Sequence, residues 1–135
     1  MSLLDVDRRT LRLFALPDAA AILAFVLVGE YQHSMLAYSL THPLRLVGVL
    51  LPFVGAWAVV APALRAYSPR ARSWRGLLGW TVLSWLVADA LAQLLLASGV
   101  FPIDFDPIFA VVVAVFGTLF LLVARGLAFA VATWR

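Results

Sequence analysis

From Leu46 to Leu64 the chain runs nineteen residues without a charge, and from Pro107 to Ala124 another eighteen. A helix rises ~1.5 Å per residue, so about 20 apolar residues cross a ~30 Å hydrocarbon core. Runs of this kind decide the solvent before they decide the fold. Backbone amides in lipid find no water, and each crossing must satisfy its own hydrogen bonds as a helix. The rest of the chain agrees: 64% of its residues are hydrophobic and 13% charged, where a soluble domain carries roughly 25% charge. A chain of 135 residues cannot hide that excess in its interior. The expected fold class is all-α, an integral membrane four-helix bundle forming one domain over 1–135.

The two remaining crossings are forced to carry charge. Between Asp18 and Glu30 lie only eleven uncharged residues, Ala19 to Gly29, about 16 Å of helix. Asp89 divides Gly76 to Ile103 near its middle. The expected spans are 18–38, 45–66, 76–98 and 107–128, preceded by a short interfacial segment over 3–16 carrying Leu4, Leu11 and Phe14. Asp7 to Leu13 loosely resembles a twin-arginine export signal and is read as retained anchor charge.

All ten basic residues are Arg. Arg8, Arg9, Arg12, Arg65, Arg70, Arg72, Arg75, Arg125 and Arg135 fall on one side of this threading, and only Arg45 falls on the other. The positive-inside rule therefore places both termini in the cytoplasm of a cell-membrane protein. The same dispersal between apolar spans argues against nucleic acid as a partner. Membrane lipids are the expected surroundings, with a second copy or a larger complex around so small a bundle. With no Cys, disulfides and thiolate chemistry are excluded.

With the first span at 18–38, Glu30 lies roughly 3 Å and His33 roughly 7 Å outside the midplane; with the third helix taken from Gly76 to Gly99, Asp89 and Gln93 lie at about 2 Å and 8 Å on the same side. Glu30 and His33 are three apart and Asp89 and Gln93 four apart, so each pair shares a helix face. A charge at that depth costs at least ~2.5 kcal/mol and faces a partner inside the protein. The expected site is an ion- or proton-binding cluster of Glu30, Asp89, His33 and Gln93, with Arg45 and Asp18 as charge partners. Trp57, Trp85 and Phe53 line a pocket beside it. A proton- or cation-linked relay is the leading functional expectation. The competing class is a non-transporting accessory subunit, or a binder of a lipid, quinone or carotenoid; a third reading gives the cluster a purely structural role.

Glu30-x-x-His33 matches half of a di-iron helix-bundle unit, but the chain has only His33 and His42 and that site needs a second copy with further carboxylates. No metal site or cofactor is expected. There is no His-Glu-x-x-His, Gly-rich phosphate loop or nucleophile elbow, so nothing points to an enzyme.

Asp18, Phe25, Gly29 and His33 in the first span, with Pro52-Phe53 and Trp57 in the second, resemble a family of small four-span prokaryotic membrane proteins of unknown function, found in halophilic archaea and actinobacteria. The likeness runs from about Pro17 to Ala132. It implies a multi-pass membrane protein and carries no activity. Glu30 departs from it, since a basic or neutral residue is expected there. Small multidrug transporters are similar in size, with a Glu in the first span, and fluoride channels rely on Asn; this chain has no Asn, and its one-sided Arg distribution differs from the weak bias of both groups.

Overall fold

The computed structural model describes residues 5–134, and those residues form five helices and no strand. Helix α1 spans Arg8–Gln32, α2 Leu36–Thr41, α3 Pro43–Ala63, α4 Trp74–Ala97 and α5 Pro107–Trp134, with a 3-10 turn at Pro69–Ala71. Four of them are long and apolar enough to cross a membrane. The all-helical multi-pass bundle expected from the sequence is therefore present.

The helix ends follow from local chemistry. The Asp7 carboxylate accepts from Thr10 N at 3.0 Å and begins α1. Ser73 caps α4 by accepting from Gly76 N at 3.0 Å. Asp106 accepts from Ile108 N at 2.8 Å at the start of α5, where Pro107 lacks the donor that would otherwise be orphaned. At the far end of α1 the chain turns through Ser34 at φ 59°. Ser34 N donates to Tyr31 O and Met35 N to Glu30 O, the paired bonds of a Schellman motif with Ser in the place glycine usually takes.

These ends revise three expectations. The interfacial segment over 3–16 is no separate element: from Arg8 onward it is the beginning of α1, and Leu4 lies outside the described residues. Pro17 sits inside that helix without ending it, at the loss of one backbone bond. Phe14, expected at an interface, is fully buried. The first crossing also ends at Gln32, not Tyr38, because the Schellman turn stops it. Glu30 is therefore in its last turn, and Asp18, only about 3 Å from the helix centre, is the deep acid. Helix α5 runs six residues past the expected end at 128, which moves Arg125 from a boundary position into the bundle.

Each long helix packs against two others. Helix α1 touches α5 and α3, and α4 touches α3 and α5, so α1 and α4 face each other across a diagonal. The short α2 bridges α1 and α3. One end of the bundle, here the proximal end, holds the start of α1, the end of α5 and the connection between α3 and α4. That connection folds inward: Ala66, Tyr67, Ser68 and Ala71 are buried. Asp7 N donates to Tyr67 O at 2.9 Å, and Arg72 Nε donates to Thr10 Oγ1 at 3.0 Å, tying it to α1. The distal end holds α2 and the 98–106 connection.

Candidate functional site

Three separate sets hold the buried acidic side chains among the described residues. The deepest is at the proximal side. Arg125 is fully buried and forms a two-pronged ion pair with Asp18, Nε to Oδ1 at 2.7 Å and Nη2 to Oδ2 at 2.8 Å. Its Nη1 donates to Ala66 O and to Thr81 Oγ1, both at 3.0 Å. Tyr67 donates its hydroxyl proton to Asp18 Oδ2 at 2.5 Å, and the Trp57 indole N–H lies 3.0 Å from Tyr67 Oη and 3.3 Å from Asp18 Oδ2. The guanidinium also rests over the Phe14 ring at 4.4 Å. A buried pair repays its desolvation only with good geometry and further hydrogen bonds; this one has both. Burial and the neighbouring Asp18 charge push the Tyr67 phenol well above its usual value.

Above that set lies a layer of aromatic side chains. Trp57 and Trp85 approach with ring centroids 6.0 Å apart, and Phe25 meets Trp85 edge-on at 6.4 Å and Phe120 at 6.1 Å. Trp85 donates to Val113 O at 2.9 Å. Its ring fits only because residue 117 is glycine: a Cβ there would stand 2.2 Å from Trp85 Nε1. The layer is closely packed, with Trp57 4% and Trp85 1% exposed.

The second polar set is Asp89 with Gln93, whose Nε2 donates to Asp89 Oδ1 at 2.9 Å while its Oε1 has no partner among the described residues. The third is at the distal end. Glu30 pairs with Arg45 and accepts from Ser39 Oγ at 2.5 Å, and Arg45 Nη1 also donates to Ser39 at 2.8 Å. This ion pair and the two Ser39 hydrogen bonds join the end of α1, the short α2 and the start of α3.

Beside this third set lies a cavity of about 250 Å³. Glu30, Arg45 and His33 form its polar side, Phe25, Phe53 and Phe109 its apolar walls, and Asp104 and Asp106 stand at its edge. The walls pack edge to face, Phe25 on Phe53 at 6.1 Å and Phe53 on Phe109 at 6.3 Å. A wider groove of about 610 Å³ adjoins it between α1 and α5, sharing Phe25, Gly29, His33, Asp106 and Phe109 and continuing along Val112 and Phe116.

The expected cluster is therefore distributed. Glu30 and His33 meet at the cavity, and Asp89 and Gln93 meet each other, but no hydrogen bond joins the two pairs and the cavity lining includes neither Asp89 nor Gln93. The reason is topological: α1 and α4 are diagonal, and the first helix ends too early to carry Glu30 to the depth of Asp89. Arg45 reaches Glu30, not Gln93. Asp18 does have a charge partner, Arg125, which sequence reasoning placed outside the membrane. The signal was available: nine uncharged residues, Gly126 to Trp134, follow Arg125. Of the three aromatic residues assigned to a pocket, Phe53 lines the cavity, while Trp57 and Trp85 are absent from its lining and are buried in the packed aromatic layer, Trp85 against the lining residue Phe25. Among the described residues no three side chains of metal-ligating type come together.

No curated protein and no solved structure matches the chain. A family model described as "Protein of unknown function (DUF3054)" matches residues 15–128, the stretch that carries the resemblance noted in the sequence, and the chain belongs to that family.

Proposed function

We propose that this protein is a non-transporting membrane module that holds one amphipathic, lipid-soluble molecule in its distal cavity. A single observation carries the reading: a cavity with charge on one side and phenyl walls on the other, one of whose walls, Phe25, packs against the buried Trp85. Such a mix of apolar lining and few polar groups is the usual character of a small-molecule pocket. At the proximal side the interior is occupied by the Asp18–Arg125 pair and by the buried Ala66, Tyr67, Ser68 and Ala71 of the 64–73 connection, which weighs against a relay along the bundle. A relay would need neighbouring groups to pass a proton along, and among the described residues Asp89 has only Gln93 as a hydrogen-bond partner.

In this reading both termini face the cytoplasm and the cavity opens in the outer half of the cell membrane. Seven arginines among the described residues, Arg8, Arg9, Arg12, Arg65, Arg70, Arg72 and Arg75, support that orientation after Arg125 is removed from the count, because Arg45 is alone at the other end. Assembly with a second copy or a larger complex belongs to the same proposal, since the bundle encloses so little by itself.

The test combines extraction with flux. Protein purified in a mild detergent is extracted with organic solvent and the extract examined by mass spectrometry, beside a Gly29→Leu variant whose side chain would fill the cavity. An amphiphile recovered from the wild type and lost from the variant supports the proposal. Proteoliposomes containing a pH-sensitive dye should show no protein-dependent flux. Flux abolished by Glu30→Gln and Asp89→Asn would overturn it in favour of the relay.

A further inference from the structure

Resting on the reading of the distal cavity as a binding site, we infer that its ligand class is the amphipathic organic cation, a single-chain amine or quaternary ammonium. The charge balance of the lining points that way. Its sole guanidinium, Arg45, is already engaged by Glu30 and Ser39, so that couple presents little net charge to an incoming molecule. Two carboxylates remain. Asp106 spends one oxygen on the first amides of α5, and Asp104, exposed at the edge, makes no hydrogen bond or ion pair among the described residues. The cavity edge is thus net negative, and an anionic headgroup would meet two like charges before reaching Arg45.

The walls add a second, independent preference. Phe25, Phe53 and Phe109 surround the space beside Glu30, and the faces of aromatic rings attract cations through their quadrupoles, an attraction that strengthens where water is excluded. The adjoining groove is apolar along Val112, Phe116 and Phe120. It offers a course for an alkyl chain whose headgroup stays at the level of His33 and Asp106, which border both spaces.

The experiment measures equilibrium binding of three twelve-carbon probes to the full chain in zwitterionic nanodiscs, with empty nanodiscs subtracted: dodecyltrimethylammonium, dodecanol and dodecyl sulfate. The variants are Gly29→Leu and the pair Asp104→Asn with Asp106→Ser, in which Ser preserves the helix cap while removing the charge. Saturable binding of the ammonium probe, abolished by Gly29→Leu and weakened about two- to fivefold per carboxylate removed, is expected from the scale of exposed charge contacts. The weakening should fade at high salt, and dodecanol should not respond to the carboxylate changes. If dodecyl sulfate or dodecanol binds as tightly as the cation and Gly29→Leu still removes it, the cation assignment falls and the pocket stands. If no probe binds above empty nanodiscs, or Gly29→Leu changes nothing, the pocket reading falls and the cation assignment with it.

Discussion

Asp18 and Arg125, 107 positions apart in the chain, are joined by two parallel hydrogen bonds in a part of the bundle that neither side chain leaves. Their partners come from every long helix or its connection: Trp57 from α3, Thr81 from α4, and Ala66 and Tyr67 from the segment between them. The pair therefore does the work of a central tie, fixing all four crossings at one depth. Removing one member leaves the other charged and unpaired in a dry site. Asp18→Asn or Arg125→Leu alone should cost about 3–5 kcal/mol, whereas the double change to an apolar pair such as Asp18→Leu with Arg125→Met should recover much of that loss. Thermal unfolding in detergent, followed by tryptophan fluorescence, checks the non-additivity; simple addition of the two single losses would contradict it.

What the sequence revealed of this arrangement depended on how far each feature was set by composition. Four crossings were legible because apolar length alone requires them. Glu30 and Asp18 were both recognisable as acids the first helix cannot avoid, since only eleven residues separate them. Their partners were not, because a partner depends on which helices touch and where each one ends. The end of α1 rests on a Ser in left-handed conformation, a position where glycine would have announced a stop and Ser does not. A displacement of that boundary by six residues, from Tyr38 to Gln32, was enough to move Glu30 from the expected centre of the bilayer to the distal end. Arg125 was misplaced by the opposite error: with the helix expected to end at 128 the charge counted as a boundary residue, whereas α5 runs on to Trp134.

Two glycines should respond in opposite directions. At Gly117 a methyl group would collide with the Trp85 ring at 2.2 Å, so Gly117→Ala must displace the indole from Val113 O; overpacking of this kind costs about 1–3 kcal/mol. At Gly29 a Cβ meets nothing within 4 Å, and Gly29→Ala should stabilise the helix by about 0.5–1 kcal/mol. Unfolding midpoints of the two variants, together with a shift in tryptophan emission confined to Gly117→Ala, decide the matter.

The raised ionisation of Tyr67 makes stability fall at alkaline pH. Burial and the Asp18 carboxylate both favour the neutral phenol in the folded protein. A raised folded value means the contribution is fully present below the ordinary value of 10.0 and declines as the pH rises above it, because the unfolded chain then releases a proton that the folded chain retains. Wild-type stability measured from pH 8 upward should drop beyond about pH 10, and Tyr67→Phe should flatten that part of the curve while lowering stability at neutral pH through loss of the bond to Asp18. An unchanged alkaline slope in the variant would show that another group causes the decline.

The Glu30–Arg45 couple should behave differently from its deeper counterpart. Its side chains keep 8% and 18% of their exposure, and Arg45 has a long apolar stem with which its head can reach the lipid headgroups if Glu30 is removed. Glu30→Gln should therefore cost less than Asp18→Asn, about 1.5–3 kcal/mol, the scale of one charged hydrogen bond. Arg45→Ala should cost more than Glu30→Gln, because it leaves the buried carboxylate with Ser39 alone and cuts the bond from α3 to Ser39 of α2. Hydrogen exchange of the amides over 36–41 provides a local readout of that bond. Faster exchange in Arg45→Ala than in Glu30→Gln, with α4 unaffected in both, is the expected pattern; equal effects in α2 and α4 would mean that the distal ion pair supports the whole bundle and is not a local fastener for α2.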